Sequence, residues 1–501
     1  MKAKNYPLIF AILLLIVATT FLGRGFLKEA LMTAQVENLK VYLPVTAKLP
    51  DPANIKNTGQ WYVLGHVSSG LSQFDHIDGR FKSLLANYEV YSSGVHSFTL
   101  KENAKFSDGS LITANDVVAS IKRLLIRKTS THFPLWDYLE NCENLKNLED
   151  ECSGLKAVSQ KRIDIRLKKD AESFLLQMSS PETGVWFAGD IDPKTLDVKP
   201  TKYSGPYRIE GIDETGFQLA RNEENPISQS FPDSPKNIKI KTMAADKVMG
   251  ELEQGGIDLV IRSHNPYDSI SLEKMGVDVF RSAPATLIYL HGTGKLAKHL
   301  IPREYLQKLW ESNTDKGIVP ADNFLPFDPG LSLTRNEFLK ELPPASELKN
   351  HKLKVGVPWT YLSKGFYNFL NKTGQESGVE IEIVELTREE WFAALEKGDS
   401  PKNIDFALGI YAASERYPAV QLRYLTGDIR KPQIDLTQAE TPELSSDKKE
   451  LLRDYQKALV KNQFAVPLFL ACHQIIYKKN LNVGDQPPSD AEVELWRITK
   501  Q

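Results

Sequence analysis

The sequence predicts an α/β chain built as two lobes, each around its own sheet. Three observations carry this expectation. One supersecondary scheme, strand then helix then strand, occurs at 237–261 and returns in longer form at 353–410. Two apolar, extended segments at 283–291 and 466–477 bracket the second occurrence, so two strands are expected to pass between the lobes. Two such passages make a hinge with a cleft beneath it. A strand, tight turn and capped helix at 95–125 stand apart from both schemes.

Taken along the chain, 95–105 alternates apolar and polar positions (Val95, Ser97, Phe98, Leu100, Ala104), which suits a half-buried strand. Asp108-Gly109 is a turn pair in which glycine accepts a positive φ. Thr113 is a good N-cap, and Asp116 three residues on completes a capping-box-like pair at the positive end of the helix dipole. Val117, Val118, Ile121, Leu124 and Leu125 then share one helical face, with Lys122, Arg123 and Arg127 mostly turned away. Further on, 237–243 reads as a strand, 245–254 as a helix, Gly255-Gly256 as its stop and 257–261 as a second strand. In the longer repeat, 353–357, 379–386 and 404–410 are strands. Residues 363–371 and 387–397 are helices, the latter opened by a capping box of Thr387 and Glu390. A short helix fits 301–310, and the polar, proline-rich stretches 320–329 and 433–446 read as surface loops.

The run from Phe106 to Val118 resembles a motif of the family 5 extracellular solute-binding proteins, which include the oligopeptide- and dipeptide-binding proteins of ABC importers. Members carry an aromatic-x-Asp-Gly turn followed by Thr-Ala-x-Asp-Val-Val and an apolar helix, and each of those positions is matched. Asp51-Pro52, Gly70-Leu71, Ser204-Gly205-Pro206-Tyr207 and the segment from Leu252 to Leu259 are similar to further family positions, so the likeness covers most of 39–498. The resemblance implies a periplasmic-binding-protein-like fold of the class II type, with an accessory domain inserted in the first lobe. Lobe I is then 38–71 plus 200–282 plus 472–501, the accessory domain 72–199 and lobe II 283–471. It also implies function: an extracytoplasmic, monomeric substrate-binding component that closes around a peptide or similar polar solute and delivers it to an ABC permease. The alternative is a membrane-tethered interaction or sensory protein that keeps the fold without feeding a transporter.

In an open α/β lobe, ligands contact loops at the carboxyl ends of strands. That singles out Trp359 and Tyr361 after the 353–357 strand and Tyr411 to Arg416 after the 404–410 strand, with Ser69 on the facing lobe. Peptide binders of the family carry Trp-x-x-Asp here, whose Asp holds the peptide's amino group. Aligning Tyr411 with that Trp puts Ser414 at the Asp position, with Glu415 one residue away. A buried ammonium requires a carboxylate partner. Either Glu415 supplies it, or the ligand lacks a free amine.

Composition excludes several other classes. A formal net charge of −2 over 501 residues, with acids and bases interspersed, leaves no broad basic surface for nucleic acid. Gly-x-Ser-x-Gly, His-Glu-x-x-His and phosphate-loop motifs are absent from the sequence, so no enzyme is expected. The run from Gly292 to Ala297 fits a dinucleotide pattern but opens no compact βαβ unit. No metal-ligand spacing occurs among the three cysteines and the histidines, and no cofactor is expected. Cys142 and Cys152 could bridge in an oxidising compartment or remain free thiols, while Cys472 in its apolar run is expected to be buried.

The N-terminal 27 residues read as targeting. Lys2 and Lys4 precede an apolar run at 8–22 which, at roughly 1.5 Å per residue, spans about 22 Å against a hydrocarbon core of about 30 Å. Cleaved signal peptide and retained anchor stay open as alternatives, and both place the body in the periplasm or another extracytoplasmic space.

Overall fold

The computed structural model describes residues 35–501 apart from 44–47, 50, 56–57, 76–79, 92–93, 128–137, 169–172, 244–246, 264–271, 283, 285, 294–299, 312–317, 322–323, 326–329, 345–351, 359–363, 413–417, 426–431, 440–444 and 487–492. The N-terminal targeting stretch therefore lies outside the described residues.

Two large sheets organise the chain. The first has seven strands in the order Val277–Arg281, His473–Lys478, Leu259–Ser263, Asn38–Tyr42, Asn237–Lys241, Gly216–Arg221 and Tyr207–Asp213. Asn38–Tyr42 sits at its centre, parallel to Asn237–Lys241 on one side and Leu259–Ser263 on the other, and its Leu39 and Val41 are fully buried. The second has six strands in the order Ile318–Pro320, Ala465–Ala471, Thr286–Gly292, Phe406–Ala412, Lys352–Pro358 and Glu380–Leu386. Every residue of Ala465–Ala471 is buried, as expected of a near-continuous apolar run in a sheet interior. Its Pro467 is accommodated by a register shift against Thr286–Gly292. The carbonyl of the neighbouring Leu468 accepts from the Trp310 indole and from Ala321 N, both at 3.1 Å, so the irregularity leaves that group satisfied.

Each large sheet has its own main hydrophobic core, one drawn from 36–261 and 475–498, the other from 287–471. Both expected crossings are present. One runs from Arg281 to Thr286, and the other passes through Cys472 alone, between Ala471 and His473. The expected α/β repeats also form, with helices at Val248–Glu253, Lys364–Glu376 and Arg388–Glu396, the last opened by the Thr387–Glu390 capping box.

A smaller layer of four strands, in the order Ala86–Val90, Val95–Leu100, Arg162–Arg166 and Leu155–Ala157, packs with helix Ala114–Arg127 into the first core. The Phe106 to Val118 motif locks this layer in place. Gly109 adopts a φ of +83° to close the turn, and Lys202 Nζ lies 3.8 Å over the Phe187 ring and 4.9 Å over that of Phe106. Asp116 accepts from Thr113 N at 2.9 Å as a cap, while its other oxygen accepts from Ala188 N at 2.9 Å. One carboxylate thus ends a helix and docks a neighbouring segment. Gly205 is required where that segment meets helix Thr58–Val67, because a Cβ there would stand 2.4 Å from the Val67 carbonyl carbon.

The charged face expected on the Ala114–Arg127 helix is different from the reading by periodicity. Arg123 is 1% exposed and Lys122 is buried, while Val118 is only half-buried. Arg123 Nε donates to the Leu196 carbonyl and its terminal nitrogen to Asp51, and Lys122 Nζ donates to the Leu148 carbonyl at 2.8 Å. Segments distant in sequence cover the helix's second face and supply acceptors that helical spacing does not reveal. Cys142 and Cys152 form a disulfide within the loop whose Leu148 receives Lys122.

Candidate functional site

The parallel strands of the two sheets fix where their carboxyl ends lie. In the first sheet these ends are Tyr42, Lys241 and Ser263, and Ser263 pairs with His473 beside the single-residue crossing. In the second they are Pro358, Leu386 and Ala412, and Ala412 pairs with Thr286, which pairs with Ala471. Both sheets therefore present their carboxyl ends at the crossings, where ligands of open α/β sheets bind.

The two crossings are bonded to each other. Ser282 N donates to the His473 carbonyl at 3.1 Å, and His473 N donates back to Ser282 Oγ at 3.0 Å. Only one residue, Cys472, separates His473 from the other sheet. Its thiol is buried, and burial pushes its pKa up, partly offset by Arg281. A reciprocal pair at this point ties the two connections to each other. No motif marked Ser282 or His473, since their meeting depends on strands nearly two hundred residues apart.

Of the sequence-derived candidates, Tyr411 lies near the carboxyl end of Phe406–Ala412. It stands opposite Leu287 one register from the crossing, half-buried against the second core. Trp359 and Tyr361 follow Pro358, and Ser414 and Glu415 follow Ala412, but all four lie outside the described residues.

Ser69 lies elsewhere. It is 3% exposed, its N donates to Ser204 Oγ at 3.1 Å, its Oγ accepts from Asn225 Nδ2 at 3.1 Å and its carbonyl accepts from Val185 N at 2.9 Å. Asn225 follows Arg221, whose N donates to Lys236, and Lys236 N donates to Val36, just before the central strand begins. Ser69 is thus tied to the amino end of Asn38–Tyr42, opposite the crossings, and its hydroxyl is used within the lobe. Its position just before Gly70-Leu71 could not reveal this, because Asn225 and Ser204 are remote in sequence.

Among the described residues, no group of three histidine, cysteine or acidic side chains could hold a metal ion. No helix among them is long and apolar enough to cross a membrane.

Comparison with known proteins accords with this geometry. The sequence profile described as "Bacterial extracellular solute-binding proteins, family 5 Middle" matches residues 84–292, which include the Phe106 to Val118 motif and the first crossing. This middle stretch of the chain is similar to the family 5 solute-binding proteins. A dipeptide-binding protein of Lactococcus lactis subsp. cremoris (strain MG1363) is 23% identical over 360 residues, covering 67% of this chain, and the chain spans 61% of that relative's length. Among solved structures, a periplasmic oligopeptide-binding protein from Borrelia burgdorferi is similar at TM-score 0.73 and 17% identity, covering 93% of this chain and 100% of the other. The murein tripeptide binding protein MppA of Escherichia coli is similar at TM-score 0.71 and 17% identity, over 93% and 99% of the two chains. NikA from Brucella suis, in complex with Fe(III)-EDTA, is similar at 0.69 and 15%, over 93% and 100%. These likenesses give a two-lobed α/β fold.

Proposed function

We propose that this chain is the extracytoplasmic substrate-binding component of an ABC-type importer, enclosing a peptide or comparable polar solute between its lobes by hinge closure. The observation that carries the reading is the pair of crossings joined through Ser282 and His473, with the carboxyl ends of both sheets gathered there. Two short, mutually bonded connections permit rotation of one sheet's lobe against the other while restricting other motions. A ligand touching both lobes then favours the closed state by its differential affinity.

In this reading lobe I comprises 38–71, 200–282 and 472–501, the inserted domain 72–199, and lobe II 283–471. Tyr411, with Trp359 and Tyr361, supplies aromatic area in the cleft, and Ser414 or Glu415 meets the ligand's polar end. Ser69 is left out, because its hydrogen bonds are spent inside lobe I. The protein acts as a monomer in the periplasm or its equivalent, and its partner is a membrane permease. The family match over residues 84–292 and the peptide-binding names of the Lactococcus, Borrelia and Escherichia proteins support a peptide over other solutes.

Thermal melts against di- to pentapeptides, sugars, amines and nickel chelates test this, since a ligand that binds only the native state raises its stability by RT ln(1 + [L]/Kd). A peptide-specific rise that shrinks in Tyr411→Ala is the expected result. No rise with any solute would favour the tethered interaction reading instead.

A further inference from the structure

Strands Leu259–Ser263 and Val277–Arg281 run parallel to each other on either side of His473–Lys478, which is antiparallel to both. Their carboxyl ends lie at the crossings, and the register there sets polar side chains in one row. Gln474 pairs with Arg262 on one side and with Arg281 on the other. Register partners share a face, so two arginines flank one glutamine at the edge where open α/β sheets bind ligands.

This row departs from the face it belongs to. The preceding row on that face, Val279, Ile476 and Val260, is apolar and packs into a small core with Met249 and Leu252. Gln474 is 1% exposed, Arg262 is half-buried and Arg281 is exposed. A charge on an edge strand protects that edge from pairing, which accounts for Arg281 taken alone. Arg262 lies on an interior strand, between His473–Lys478 and Asn38–Tyr42, where a cation is costly and no edge needs protection.

Arg281 is the member a ligand can reach. Among the described residues its side chain makes no hydrogen bond or ion pair. Its charge opposes the rise that burial imposes on the Cys472 thiol, which places the guanidinium beside the single-residue crossing. The one acid within these strands, Asp278, pairs with Tyr477 and by alternation faces the other side of the sheet. We propose that Arg281 and Arg262, with Gln474 between them, form an anion subsite of the interlobe cleft that takes the ligand's terminal carboxylate. The inference rests on the peptide-binding reading and adds the part of the ligand that lobe I holds. A planar guanidinium offers a carboxylate two parallel N–H donors. The two arginine Cα atoms are two strand spacings apart, about 10 Å, which lets both side chains reach one group.

Two tripeptide libraries of identical composition, one of free acids and one of C-terminal amides, test this when titrated into the purified chain and read by melting temperature and calorimetry. The parent should bind the acids about tenfold more tightly than the amides, the scale of one charge-assisted hydrogen bond. Arg281→Gln should remove that preference by weakening the acids while leaving the amides unchanged, and Arg281→Lys should keep part of it. Because Arg281 is exposed, both variants should melt like the parent without ligand. Equal binding of acids and amides by the parent, or a preference that survives Arg281→Gln, would overturn the subsite and leave the peptide-binding reading standing. Binding of neither library would overturn that reading, and the subsite with it.

Discussion

Asp51 neutralises Arg123, a guanidinium almost wholly buried in the helix that follows the family motif. The same carboxylate caps the turn Pro52–Asn54 through Ala53 N at 2.9 Å and receives Arg127 at 2.6 Å. Burial lowers the Arg123 pKa, and Asp51 opposes that shift. One acidic side chain therefore joins the loop after the central strand to the helix of the four-stranded layer.

Removing only the carboxylate should be costly, because it strands a buried cation. Asp51→Ala is expected to destabilise by about 3–5 kcal/mol in urea unfolding, whereas Asp51→Ala combined with Arg123→Met should recover a good part of that loss. Equal destabilisation in the double variant would mean that Asp51 acts through its cap alone.

This pair also shows what sequence reading reaches. The capping pairs Thr113 with Asp116 and Thr387 with Glu390 were legible because both partners lie within one helical turn. The repeated strand and helix pattern and the two apolar crossings were legible because burial leaves a periodic or continuous apolar signal. Arg123, Ser69 and Ser282 were misread or passed over for a common reason. Their partners Asp51, Asn225 and His473 are 72, 156 and 191 residues away, and polar contacts of that range leave no local pattern.

His66 predicts an acid limb in stability. Burial pushes its pKa down from 6.5 to about 4, only partly offset by its hydrogen bond to Tyr62. The unfolded chain therefore takes up a proton near pH 6.5 while the folded chain resists until about pH 4, so stability falls as pH drops through that window. The full contribution is about 3 kcal/mol. In His66→Gln the difference in unfolding free energy from the parent should narrow between pH 7.5 and pH 4.5. A pH-independent difference would contradict this origin.

Gly409 faces the ring of Tyr289 across the strand pair that carries Tyr411, and a Cβ at Gly409 would stand 2.3 Å from the ring carbon Cζ. Gly409→Ala is expected to cost about 1–3 kcal/mol by overpacking. Pairing it with Tyr289→Leu should relieve much of the cost, measurable by thermal melts of the two variants.

The Cys142–Cys152 bridge closes a loop with a sequence separation of 10. Loop-closure entropy for that length is worth about 2.7 kcal/mol, so reduction should lower the unfolding free energy by roughly that amount. Unfolding curves with and without dithiothreitol, alongside Cys142→Ser/Cys152→Ser, measure it.

At the crossings, Ser282→Ala removes the acceptor of His473 N but leaves the Ser282 N to His473 carbonyl bond intact. Amide exchange at His473 should quicken about tenfold, the equivalent of one ordinary hydrogen bond. Unchanged exchange would show that the crossings are held by other contacts.

Small-angle X-ray scattering of the purified chain, titrated with the peptides that raise its melting temperature, tests closure most directly. A saturable decrease in the radius of gyration, lost together with binding in Tyr411→Ala, is the expected result. Saturating peptide that leaves the radius of gyration unchanged would contradict a hinge that closes on its ligand.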